Sequence, residues 1–153
     1  MSSRLVTCSG ISPPALADAT KAAGTGVASA TGARTVAILA DDLIWATRLA
    51  DAIRAVGATP RIVRRLADLE TLVGRASGAG GASDVIVDLT ARAYDGVAAV
   101  RLASGTGARV VAVGQHDDKD LRGAATEAGA SHVFTYRALF EDGPRLLARW
   151  LDE

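Results

Sequence analysis

Ala33-Arg34-Thr35-Val36-Ala37-Ile38-Leu39-Ala40-Asp41-Asp42 is an apolar run that stops abruptly at two adjacent carboxylates. Beyond it the spacing switches to helix period, with Ala46, Leu49, Ile53 and Val56 forming one apolar stripe. A buried strand that carries two acids to a sheet edge is chemically demanding. Like charges repel, and each loses solvation unless a cation or hydrogen-bond donors compensate.

Reading outward, the spacing predicts strand one over Thr35 to Ala40 and a helix over about Leu43 to Val56. Asp42 suits the N-cap and Gly57 the C-terminal stop. Strand two follows at about Pro60 to Val63, and helix two at about Leu66 to Arg75. Ser77 to Gly81 is a glycine-rich loop that precedes a strand rather than a helix, which reads as a connection and not as a phosphate cradle. Strand three, Asp84 to Asp88, again ends an apolar run with an acid. Helix three is expected over Val97 to Ala103, strand four over Arg109 to Val113, and helix four over Asp120 to Ala128. Strand five is expected over Ser131 to Tyr136, with a last helix beginning near Pro144, a good first-turn residue.

Five strands alternate with five helices, and the strands are continuous apolar runs rather than alternating ones. That pattern predicts an α/β fold: a doubly wound, five-stranded parallel sheet covered on both faces, in flavodoxin-like order 2-1-3-4-5. In that order strands one and three are neighbours. Asp41, Asp42 and Asp88 are then carried to one crevice at the switch point.

The chain has 153 residues, 49% of them hydrophobic, which fits one domain with a sizeable core. The balanced formal charge of +0 gives no global field toward nucleic acid or an anionic membrane. No apolar run approaches the roughly 20 residues of a membrane span. The single Cys8 excludes an internal disulfide and a cysteine-based metal site. A soluble, cytoplasmic protein is the expectation. Residues 1–33 are rich in Ala, Gly, Ser and Thr and lack lasting periodicity, so a disordered segment is expected there, followed by the domain over 34–153.

Residues 34–153 resemble the receiver domain of bacterial response regulators. Asp41 and Asp42 match the acid pair that binds Mg²⁺ in that family, and Asp88 matches the aspartate that accepts a phosphoryl group. Arg48 falls where receivers often carry a basic residue, Asp95-Gly96 matches their Asp-Gly, and Gly129-Ala130 their Gly-Ala turn. The resemblance implies a Mg²⁺ site at Asp41, Asp42 and Asp88, with Thr90 supplying a backbone carbonyl. It also implies phosphorelay partners, a kinase or an output protein, and a homodimer as a further expectation. Oxygen ligands of this kind suit a hard cation.

The departures from the family are equally specific. Receivers carry Ser or Thr at the end of strand four, where this chain has Gly114 or, with a one-residue shift, Gln115. They carry Lys-Pro at the end of strand five, where this chain has Tyr136-Arg137. Losing the hydroxyl and the ammonium removes two charge-assisted contacts of ~1.5–3 kcal/mol each. Period two turns Arg137 to the opposite face, although at a strand end it can still reach the pocket.

The expected function is therefore that of a pseudo-receiver: a stand-alone signalling or protein-interaction module, not an enzyme, with atypical or absent phospho-switching. Trp45, Tyr136 and Arg137 are the candidate interaction surface, Trp45 because it leans outward from helix one beside the acids. One alternative is a working phosphoacceptor at Asp88, with Arg137 or His116 standing in for the missing groups. Another is a small-molecule or cofactor protein on the same fold, although Asp41-Asp42 repels a flavin phosphate where backbone donors are needed. His116-Asp117-Asp118 reads as a helix start rather than a metal site.

Overall fold

The structure is a computed structural model that describes residues 33–75 and 80–153. The expectations for residues 1–32, Cys8 included, and for Ser77, Gly78 and Ala79 lie outside the described residues.

The first strand, β1 (Thr35–Leu39), is the run that opened the sequence, and four of its five residues are buried. It leads into α1 (Leu43–Ala55), β2 (Thr59–Val63), α2 (Leu66–Gly74), β3 (Asp84–Asp88) and α3 (Gly96–Gly105). The chain continues through β4 (Arg109–Gly114), α4 (Lys119–Glu127), β5 (His132–Thr135) and α5 (Tyr136–Asp152). The strands form one sheet in the order β2-β1-β3-β4-β5. Every pairing is parallel, with Val36 beside Asp84, Asp84 beside Arg109, and Val111 beside His132. The doubly wound fold expected from the apolar runs is the one observed.

Alternation along the strands divides the core in two. Ala37, Leu39, Val85, Val87, Val110 and Ala112 pack with α2, α3 and α4. Val36, Ile38, Ile86, Val111 and Val113 pack on the other face with α1 and α5, against Leu49, Ile53, Leu147 and Trp150. Both faces of the central strands are dry, which is why their sequences show no polar alternation. β2 is the exception. It lies at the sheet edge and is largely exposed, a position that tolerates Pro60, which has no N–H to donate.

Asp42, Asp95 and Asp118 each begin a helix by accepting a backbone N–H three residues on, from Trp45, Ala98 and Leu121. Asp118 thus acts as the helix start expected of the His116–Asp118 run. Gly57 and Gly129, with φ of +81° and +113°, close α1 and α4 in the left-handed region.

The start of the last helix differs from expectation. It begins at Tyr136, eight residues before Pro144, because the Thr135 hydroxyl caps it by accepting the Ala138 N–H at 3.1 Å. Pro144 instead follows a break at Asp142 (φ −146°, ψ 30°), where the helix kinks and resumes. Strand five therefore ends at Thr135, and Tyr136 belongs to the helix. Among the described residues no helix is long and apolar enough to cross a membrane.

Candidate functional site

The carboxyl ends of β1 and β3 lie side by side, and the acids at those ends open into one cleft of about 610 Å³. Asp41, Asp42, Trp45, Asp88, Arg92 and Tyr136 contribute to its wall, together with Thr90. The topology thus brings the three predicted acids to one cleft.

Each of those acids already has a protein partner. Asp41 Oδ2 accepts the backbone N–H groups of Arg92 at 2.8 Å and Ala93 at 3.3 Å, which fixes the loop after β3. Asp42 Oδ1 accepts the Trp45 N–H at 2.9 Å as the cap of α1. Asp88, only 2% exposed, is the most deeply placed. Its Oδ1 accepts from the Thr90 N–H at 2.9 Å, from the Thr90 hydroxyl at 3.0 Å, and from the Tyr136 hydroxyl. Tyr136 also touches the Thr90 hydroxyl, so Asp88, Thr90 and Tyr136 form a closed triangle.

Sequence reading assigned Tyr136 and Trp45 to an interaction surface. The structure places both half-buried on the cleft wall, their rings edge to face with centroids 4.7 Å apart and planes at 77°. For Tyr136 this placement follows from the helix start. As the first residue of α5, Tyr136 turns its phenol back over the sheet edge toward β3. Arg137, the next residue, is exposed and pairs with Glu141 at 2.9 Å on the same helix. Arg137 does not line the cleft, nor does His116, which lies exposed beyond β4. Neither reaches Asp88 as a stand-in cation. Gly114 offers no side chain at the end of β4, and a Cβ there would lie 3.4 Å from Leu89 Cδ1.

Two contributors escaped the sequence reading. Tyr94 sets its hydroxyl 2.7 Å from the Leu39 carbonyl and 3.0 Å from the Asp88 carbonyl, bridging the ends of β1 and β3. The other is the Thr90 hydroxyl: Asp-x-Thr is a local turn pattern in which the hydroxyl returns to the carboxylate. Burial, and then the nearby Asp88 charge, pushes the Tyr94 phenol well above its ordinary range. Burial, and then its hydrogen bond to Asp88, does the same for Tyr136. Both phenols are held as neutral donors.

The donor type suits a hard cation, since all three acids offer oxygen. The arrangement does not. Among the described residues no three His, Cys, Asp or Glu side chains lie close enough together to hold a metal ion. Asp41 and Asp42 are turned to backbone amides, and Asp88 to hydroxyls.

No protein-family model matches the chain, and no curated protein sequence matches it. Solved structures do. A response regulator from Thermotoga maritima superposes with a TM-score of 0.66 at 15% identity, over 80% of this chain and 100% of that one. The BeF3 activated DrrB receiver domain gives 0.65 at 16% identity, over 80% and 100%. The Mn(2+)-bound form of response regulator Rcp1 gives 0.64 at 13% identity, over 77% and 94%. Identities this low speak to architecture, and on architecture they agree with the observed strand order: the chain has the fold of the response-regulator receiver domains.

Proposed function

We propose that this chain is a receiver-fold signalling module that acts through protein contacts and does not use Asp88 as a conventional phospho-switch. The observation that carries this reading is the state of Asp88, whose Oδ1 is saturated by Thr90 and Tyr136. The features that would favour a phosphoryl group there are missing. Gly114 brings no hydroxyl, and Arg137 is committed to Glu141. A transferred phosphoryl group gathers negative charge, which needs donors or cations aimed at it. Here the nearest side-chain donors are already spent on the carboxylate.

A protein partner, a kinase or an output protein, fits the surface better than a small-molecule substrate does. Leu43 and Ile44, 62% and 74% exposed, project from the start of α1, and Phe140 from α5 is 65% exposed with the Arg48 guanidinium over its ring. Exposed apolar anchors beside a polar cleft are the anatomy of a docking surface rather than of a catalytic centre. The module is not an enzyme on this reading.

The second reading, a working acceptor at Asp88, draws on two structural neighbours, the BeF3 activated DrrB receiver domain and the Mn(2+)-bound form of Rcp1. Incubation with acetyl phosphate and Mg²⁺, followed by intact mass, separates the two. The proposed function predicts no phosphoryl adduct. An adduct on the wild-type chain that vanishes in Asp88→Asn would establish the second reading instead.

A further inference from the structure

The aromatic rim and the acidic cleft are mechanically linked. Tyr136 is anchored from two directions. Its backbone opens α5 behind the Thr135 cap, and its ring meets the Trp45 indole at 4.7 Å. Its hydroxyl is thereby delivered to a fixed point between Asp88 Oδ1 and the Thr90 hydroxyl. Thr90 is in turn held to Asp88 through both its amide and its side chain. A carboxylate oxygen has two lone-pair sites, so three donors leave Oδ1 with no capacity for a further ligand.

Burial gives these contacts their weight. Asp88 is almost fully out of water, and among the described residues no Arg, Lys or His forms an ion pair with it. Its charge is compensated by hydrogen bonds, which a buried carboxylate requires. A cation entering the cleft must therefore displace the phenol or make do with Oδ2. It must also draw Asp41 from the Arg92 and Ala93 amides and Asp42 from its helix cap.

We propose that Tyr136 is a built-in occupant of the acidic cleft, a positioning residue whose neutral hydroxyl competes with a divalent cation for Asp88. The proposal rests on the function proposed above and deepens it. The cleft is quiet because the chain supplies its own ligands: the phenol and Thr90 hold Asp88, and backbone amides hold Asp41 and Asp42. Removing that one hydroxyl takes away the donor that reaches Asp88 from α5 across the cleft, and a cation can then gain by entering in its place.

The test is a Mg²⁺ titration of the full chain, comparing wild type with Tyr136→Phe, which keeps the ring on Trp45 and deletes the hydroxyl. The Trp45 indole N–H signal in a ¹H–¹⁵N spectrum reports binding. Trp45 lines the cleft and touches the ring, and Trp45→Phe distinguishes its signal from that of Trp150. Tyr136→Phe is expected to bind Mg²⁺ about tenfold or more tightly than wild type, the scale on which outer contacts tune metal ligands. The gain should vanish in the Tyr136→Phe, Asp88→Asn double variant. Affinity within about twofold of wild type would overturn the proposal, as would a gain that survives loss of Asp88. If Tyr136→Phe does not fold, Thr90→Val removes the hydroxyl that Tyr136 shares, from an exposed residue, and must move affinity in the same direction or the proposal fails. The two readings fail separately. A phosphoryl adduct on wild-type Asp88 sinks the proposed function, whereas an inert Tyr136→Phe sinks the phenol's role and leaves that function standing.

Discussion

Asp84 and Asp88 stand at opposite ends of β3, both buried, and the chain compensates them in different ways. Asp84 Oδ1 meets Arg109 at 2.6 and 2.7 Å, and its Oδ2 lies 3.4 Å from Arg34. Both arginines also donate to carbonyls at the end of α5, those of Trp150 and Leu151, so the pair ties the last helix to the sheet. Asp84→Ala leaves Arg109 without its partner and is expected to destabilise by about 3 kcal/mol, the lower end for a broken buried pair, because Arg109 is one-third exposed and can regain water. Urea denaturation checks this. Asp88 is compensated by neutral hydroxyls, and the consequence appears at high pH. Tyr94 and Tyr136 have folded pKa values raised above the ordinary phenol value of 10.0. Their contribution is fully present below about pH 10 and is lost as pH rises from there through the folded values. The urea midpoint should fall above that pH, and Tyr94→Phe with Tyr136→Phe should flatten the decline. The three acids were legible because carboxylates that end apolar runs are unusual. The phenol that meets one of them was not, because its direction depends on where α5 begins.

At the scale of elements, the strands could be read because each central one is dry on both faces. The loops were legible only where a backbone requirement left a residue signature. Asp95-Gly96 is such a case. Asp95 caps α3, and a Cβ on Gly96 would lie 2.7 Å from Leu89 Cα, backbone that cannot easily yield. Gly96→Ala is expected to cost about 1–3 kcal/mol through overpacking, measured as a lower thermal midpoint. The α5 boundary misled for an equally physical reason. Pro144 is a good first-turn residue, and it does stand near the start of a helical segment, but after a kink at Asp142 rather than at the helix start. The decisive signal was the Thr135 hydroxyl, a weaker mark than proline in a stretch that reads equally well as strand. Past the kink, Leu147 is fully buried among α1 and sheet residues. Leu147→Ala should destabilise by about 2–5 kcal/mol in urea, confirming that this segment completes the core rather than decorating it.

Across the whole molecule, the order β2-β1-β3-β4-β5 does two things at once. It seals α1 and α5 on one face and α2, α3 and α4 on the other, and it leaves the carboxyl ends of β1 and β3 adjacent at an open cleft. The fold and the meeting of the three acids could be read from hydrophobic period and strand order. What fills the cleft could not, because it depends on side chains from the loop after β3 and from α5, whose directions no periodicity encodes. On the proposed function, the acidic cleft of this receiver fold is satisfied from within, and the exposed surface around Leu43, Ile44 and Phe140 is left to protein contacts. The most direct test is a crystal structure of the wild-type chain grown with Mg²⁺ and beryllofluoride. The Tyr136 hydroxyl is expected to remain on Asp88 and Thr90, with the carboxylate unmodified. Beryllofluoride bonded to Asp88, with Mg²⁺ between Asp41 and Asp42 and the phenol displaced, would contradict it.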